Sequence, residues 1–183
     1  IRDAIESGLP AYAECGGLMY LARSLTWQGV TCEMVGVIPG DVVMHDRPKG
    51  RGYVRLCETE RFPWPAVDGS SGRREVAAHE FHYSELANLA PDTVFAYDVL
   101  RGAGIDGRQD GIVYRNLLAS YAHLRDIGDT RWAERFVGFV RDGKRDRDRV
   151  IHTGRRRAAG RNEYRAKRAS SKVATRVFIV GAG

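Results

Sequence analysis

The segment Leu9-Pro10-Ala11-Tyr12-Ala13-Glu14-Cys15-Gly16-Gly17-Leu18-Met19-Tyr20-Leu21 constrains the fold more than any other stretch of the chain. An apolar run ends at a cysteine, two glycines follow, and an apolar stripe with helical spacing begins at once: Leu18, Leu21, Ala22 and Leu25. A strand that turns this sharply into a helix belongs to an α/β layout. It exposes the side chain at the bend and aims the next backbone N–H and the helix N-terminus at the same point. An acyl-transfer nucleophile needs that geometry, and Ala13, Gly16 and Gly17 are small enough to permit the bend and leave room for a substrate. Spacing alone also allows Cys15 to be a small buried hydrophobe at a strand end. Cys32 and Cys57 have no comparable setting.

The remaining pattern is that of alternating short strands with helices at the edges. Ile1, Ala4 and Ile5 form a helical stripe stopped by Gly8 and Pro10. Residues 9–13 read as a strand and 16–25 as a helix. Segments 35–38 and 42–44 are short apolar strands around a Pro39-Gly40 turn, and 53–57 alternates like a half-buried strand. Residues 62–72, with Pro63, Pro65 and two glycines, form a loop. Segments 76–81, 93–100, 111–114 and 117–123 read as further strands. A helix over 130–140 closes the fold, with Thr130 as its N-cap and Trp132, Phe136, Val137 and Val140 facing inward.

The formal net charge of +6 is concentrated in one place. Residues 141–172 hold 13 basic and four acidic side chains, a local +9 that leaves the rest of the chain at −3. Apolar periodicity vanishes there, so this stretch reads as a disordered basic linker. Aromatic residues interleaved for base stacking are nearly absent, so nucleic-acid binding is not the expected role. Beyond the linker, Val177-Phe178-Ile179-Val180-Gly181-Ala182-Gly183 reads as a strand running into a glycine turn, the opening of a cofactor-binding βα unit. The expected organisation is a catalytic domain over 1–140, the linker over 141–172, and the start of a following domain over 173–183, all within a longer polypeptide. No apolar run approaches the ~20 residues of a membrane-spanning helix. Three cysteines without CxxC spacing suggest neither a disulfide framework nor a zinc knuckle, which fits a reducing cytoplasm.

Residues 13–21 closely resemble the nucleophile segment of the glutamine amidotransferase domain of cobyrinic acid a,c-diamide synthases. Three more segments agree in order: Gly52-Tyr53, then His79-Glu80-Phe81-His82-Tyr83-Ser84, then Asp110-Gly111-Ile112-Val113 through Ala119-Ser120-Tyr121-Ala122-His123-Leu124. The resemblance covers residues 1 to about 140. It implies a flavodoxin-like class I glutamine amidotransferase domain of α/β class, truncated on its N-terminal side. It also implies that Cys15 is the nucleophile, His123 its base, and the Gly16 N–H an oxyanion donor, with Gly17, His82 and Ser84 near the substrate pocket. No metal site is expected. His79 and His82 are separated so that an extended strand sends them to opposite faces, which argues against a shared metal.

Two positions depart from the pattern. Many class I amidotransferases carry a glutamate two residues beyond the histidine to orient it, and here that position is Arg125, which cannot accept a proton. Either the pair Cys15–His123 acts alone or another carboxylate substitutes. The His-Leu-Arg ending also resembles a branch that amidates siroheme, which leaves the tetrapyrrole acceptor open. A cysteine hydrolase on the same fold is the other enzyme reading. The resemblance further implies ATP and Mg²⁺ bound by an upstream synthetase domain, because this chain contains no GxxxxGK[ST]. Glutamine and a corrinoid or related tetrapyrrole carboxylate are the implied substrates. The C-terminal glycine turn resembles the start of a tetrapyrrole methyltransferase or of another Rossmann domain.

Overall fold

The structure is a computed structural model that describes residues 1–69, 72–126, 130–159 and 178–180, with side chains described as far as residue 145. Helix α1 (Arg2–Glu6) leads into strand β1 (Ala11–Glu14) and helix α2 (Gly16–Leu21). Strands β2 (Ala22–Trp27), β3 (Val30–Glu33), β4 (Ile38–Met44) and β5 (Gly50–Glu58) follow. After a loop come β6 (Glu75–His82), β7 (Ser84–Ala87), β8 (Val94–Arg101), β9 (Gln109–Tyr114), β10 (Leu117–Ser120) and β11 (His123–Leu124). Helix α3 (Trp132–Ala159) and strand β12 (Phe178–Val180) complete the described elements.

Eight strands form one mixed sheet in the order β11-β6-β5-β8-β9-β10-β1-β12, and β3-β2-β4-β7 form a smaller one. Strand β1 runs parallel to both β10 and β12, while the other pairs in the large sheet are antiparallel. Apolar residues fill successive positions of β1 and β10, so both faces of these strands are buried. Ala11, Ala13, Leu117 and Ala119 pack on one side with Leu18, Leu21 and the small sheet's Ile38 and Val42. Tyr12 and Leu118 pack on the other with Trp64, Phe136 and Val140. The cysteine turn therefore sits at the end of the most deeply enclosed strand pair.

Several sequence expectations change once partners are in place. The expected helix over 16–25 stops at Leu21, and Ala22 turns extended, with ψ 172°. Gln28 and Gly29, both at positive φ, close a two-residue hairpin that gives residues 22–27 a strand partner in β3. The Pro39-Gly40 turn lies instead inside β4. A register shift in the β2–β4 pairing there tolerates a residue with no N–H to donate. The strand expected over 117–123 breaks after Ser120 and resumes as β11, which pairs with β6.

Helix α3 begins at Trp132, not at a Thr130 cap, and Asp126 Oδ1 lies 3.4 Å from the Ala133 N–H. Phe136 and Val140 are buried, but Val137 is exposed and Phe139 packs in its place. The helix continues through Ala159, where the sequence suggested a linker from residue 141. Straight-chain Lys and Arg are good helix formers, so loss of an apolar stripe does not require loss of helix. Residues 160–172 lie outside the described residues, as do the glycines 181–183. Strand β12 adds to the edge of the large sheet, with Phe178 to Val180 in register with Ala11 to Ala13. Among the described residues no helix is long and apolar enough to cross a membrane.

Candidate active site

Cys15 is the N-cap of α2 with φ 45° and ψ −102°, a backbone conformation that L-residues rarely adopt. Its N–H donates to the Ser120 carbonyl at 2.8 Å, and its carbonyl accepts from Met19 N–H at 3.1 Å. Both ends of the strained residue are thus tied to neighbouring elements. Gly16 and Gly17 open the helix directly behind it. The thiol Sγ lies 3.8 Å from the Phe81 carbonyl of β6, in a largely buried position.

His123 reaches this thiol because β10 breaks where it does. Asp110, fully buried, accepts hydrogen bonds from Gly111 N (2.7 Å), Tyr121 N (3.1 Å), Ala122 N (3.0 Å) and Ser120 Oγ (2.9 Å). A positive φ of 73° at Gly111 turns that residue's N–H onto the carboxylate. The N–H groups of Tyr121 and Ala122 are consumed by Asp110 instead of a neighbouring strand, so the chain swings across to pair with β6 at His123–Leu124. Burial outweighs these hydrogen bonds and raises the Asp110 carboxyl above its usual range. Asp110→Ala would leave four donors without their acceptor in a dry core. It is expected to cost about 2–4 kcal/mol in denaturant unfolding.

Three groups meet the His123 ring: Cys15, Glu14 and His79. Hydrogen bonding with the Cys15 side chain, and then with Glu14, raises the imidazole from 6.5 to about 10 against the opposing effect of burial. Nδ1 lies 3.2 Å from Glu14 Oε2, and the other Glu14 oxygen accepts from the Leu124 N–H at 2.9 Å and from the Tyr12 hydroxyl. Burial alone would raise the Glu14 carboxyl, but hydrogen bonds from His123, Tyr12 and Leu124 outweigh it and hold it below its usual value. The His79 ring stacks on His123 with centroids 4.9 Å apart. Burial first, and then the charge on His123, lowers the His79 pKa.

The sequence-derived candidates separate into two groups. Cys15, Gly16 and His123 converge at the turn. His79 and His82 occupy opposite faces of β6, His79 against His123 and His82 inside the core. His82 stacks on Tyr121 at 3.9 Å, and its Nδ1 meets the Ser84 carbonyl at 2.8 Å. Ser84 Oγ donates to Tyr121 Oη at 3.0 Å. Both residues are buried. Gly17 is likewise buried. Glu14, Asp110 and Tyr121 were not singled out from the sequence. The signal for Glu14 was present: a carboxylate closes an otherwise apolar strand and immediately precedes the cysteine. Among the described residues, no group of three or more His, Cys, Asp or Glu side chains could hold a metal ion. A cavity of about 600 Å³ lined by Glu58, Arg74, Thr130 and Arg135 shares no residue with the Cys15 cluster.

A mixed sheet with flanking helices has solved counterparts, and they define a class I glutamine amidotransferase-like, flavodoxin-like α/β fold. One is a Thermoplasma acidophilum protein described as a GMP synthase component, with TM-score 0.52 and 16% identity over 80% of this chain and 65% of that one. Another is a glutamine amidotransferase with TM-score 0.50 and 18% identity over 75% and 65%. The chain belongs to the family of CobB/CobQ-like glutamine amidotransferase domains, whose sequence profile matches residues 1–126. Among curated relatives, the cobyrinate a,c-diamide synthase of Magnetococcus marinus is 45% identical over 142 residues, and that of Archaeoglobus fulgidus 42% over 137. The matches cover 78% and 75% of this chain, and 29% of each relative's length. The domain is thus homologous to part of these synthases.

Proposed function

We infer that this domain hydrolyses glutamine to supply ammonia for amidation of a tetrapyrrole carboxylate, as part of a cobyrinate or hydrogenobyrinate a,c-diamide synthase in cytoplasmic cobalamin biosynthesis. The observation that carries the reading is a strained cysteine at a strand-to-helix turn whose preceding residue, Glu14, meets a histidine from a distant strand at 3.2 Å. In this mechanism Cys15 passes its proton to His123, and the sulfur attacks the side-chain amide carbon of glutamine. The resulting oxyanion is met by the Gly16 N–H. When the carbon–nitrogen bond breaks, His123 returns the proton to the departing nitrogen and ammonia leaves. His123 then takes a proton from water, whose oxygen cleaves the thioester to release glutamate and restore the thiol.

ATP and Mg²⁺ belong to the same reading, but the residues of this chain do not fit them. It has neither a phosphate-gripping glycine loop with Lys-Ser/Thr nor, among the described residues, a metal-ligating cluster. Carboxylate activation is therefore assigned to polypeptide outside this chain, and no step above depends on it. The relatives' name favours cobyrinate over siroheme as the acceptor. A diazo ketone analogue of glutamine is expected to alkylate Cys15 in the complete protein, read as a mass increment on the peptide that contains it. Labelling that is absent, or confined to Cys32 or Cys57, would sink the amidotransferase reading.

A further inference from the structure

We propose that Glu14 is the carboxylate that positions His123 for proton transfer at Cys15, in the role that Arg125 cannot fill. The proposal rests on the glutamine-hydrolysing reading of the site. Glu14 Oε2 meets His123 Nδ1 at 3.2 Å, while Oε1 holds the Leu124 N–H at 2.9 Å. One carboxylate therefore grips both the ring and the backbone of the strand that delivers it. With Nδ1–H donated to Glu14, Nε2 is the nitrogen left for the thiol, which is the tautomer a base for Cys15 requires. The Tyr12 hydroxyl also donates to Oε1, so every contact around Glu14 favours the ionised acceptor. His79 closes one face of the His123 ring by stacking, which restricts its rotation.

Adjacency in sequence explains why one residue suffices. Cys15 bends the chain out of β1, and Glu14 is the last residue of that strand, in register with Ser120 of β10. Nucleophile and orienting carboxylate are then fixed by the same strand end, and the distance between them does not depend on a second loop.

Glu14→Gln in the complete protein tests this. The amide oxygen can still accept from Leu124 N–H and Tyr12 Oη, so shape and anchoring survive. The new NH₂ donates to Nδ1 and forces the ring proton onto Nε2, facing the thiol. Glutamine-dependent kcat is expected to fall about 10²-fold. KM for glutamine should stay within about twofold, since a positioning group acts on the transition state and not on ground-state binding.

The pH profile separates positioning from mere support. The imidazolium that protonates the leaving nitrogen persists to about pH 10 because Cys15 and Glu14 stabilise it. Removing the Glu14 charge makes it lose its proton earlier, so the alkaline limb of kcat/KM against pH must move down, by about one unit or more. Glu14→Asp keeps the charge, and its limb should lie closer to wild type than to Glu14→Gln. An unchanged kcat, a lowered kcat with an unmoved limb, or an Asp variant displaced as far as the Gln variant each overturns the proposal. Cys15→Ala serves as the separate control. If it retains glutamine-dependent activity, the catalytic reading of the site fails; if it abolishes that activity and Glu14→Gln does not impair it, only the role of Glu14 fails.

Discussion

Under the proposed ammonia-supplying function, Cys15→Ala is expected to lower the glutamine-dependent amidation rate of the complete protein by more than about 10³-fold and to leave the ammonia-dependent rate within about twofold. The asymmetry follows from the chemistry. Without a sulfur nucleophile the amide bond of glutamine has no covalent route to cleavage, whereas externally supplied ammonia bypasses this domain. The substitution is sterically mild: alanine occupies less space than cysteine at a buried position whose thiol has a distant contact to the Phe81 carbonyl. The strained backbone at φ 45° is retained, because alanine carries a Cβ as cysteine does. Equal loss of both rates would mean that the turn has collapsed or that Cys15 serves the acceptor half of the reaction, and either outcome contradicts the assignment.

Arg135→Met is expected to destabilise the domain by about 3–5 kcal/mol, a large share of the roughly 5–15 kcal/mol available to a domain of this size. Arg135, in α3, makes a bidentate pair with Glu58 at 2.5 and 3.0 Å, and neither side chain is more than 6% exposed. The same guanidinium donates to the carbonyls of Trp64 at 2.8 Å and Pro65 at 3.2 Å, and it lies over the Phe62 ring. Methionine fills comparable volume but strands a buried carboxylate, and that desolvated charge is the main cost. The double variant Arg135→Met with Glu58→Leu should therefore recover most of the loss in denaturant midpoints. If the double variant is as unstable as the single one, packing of the arginine stem, not the orphaned charge, is what holds α3 to the sheet.

These two residues were not equally visible before the fold was known. Cys15 stood out because strand, Gly-Gly and helix stripe are consecutive, and each follows from local periodicity and glycine's small size. Arg135 did not, because one arginine in a helix rich in charged residues looks solvated. Its burial depends on Trp64, which sits in a proline-containing stretch that reads as surface loop but packs against Tyr12, Trp132 and Phe136. The β2–β3 hairpin was likewise hidden, since Ala22 and Leu25 continue a helical stripe and only pairing with β3 and β4 makes them strand. In 117–123 the apolar run was legible, but its break was not. The break comes from a carboxylate ten residues upstream of Ser120, and local pattern carries no information about which N–H groups Asp110 will capture.

The amino-acid order alone specified the cysteine turn, the alternating strand pattern around it and, through four ordered segments, the amidotransferase family. All of these depend on residues close in the chain, whose side-chain periodicity and backbone freedom act locally. The setting of His123 was decided by tertiary structure. Parallel pairing of β1 with β10, the Asp110-held break after Ser120 and the return of β11 to β6 bring residues 14, 79 and 123 together. A carboxylate at position 14 becomes a partner for a histidine more than a hundred residues away because long-range strand pairing and buried hydrogen-bond satisfaction act on distances in space, which spacing along the chain does not encode.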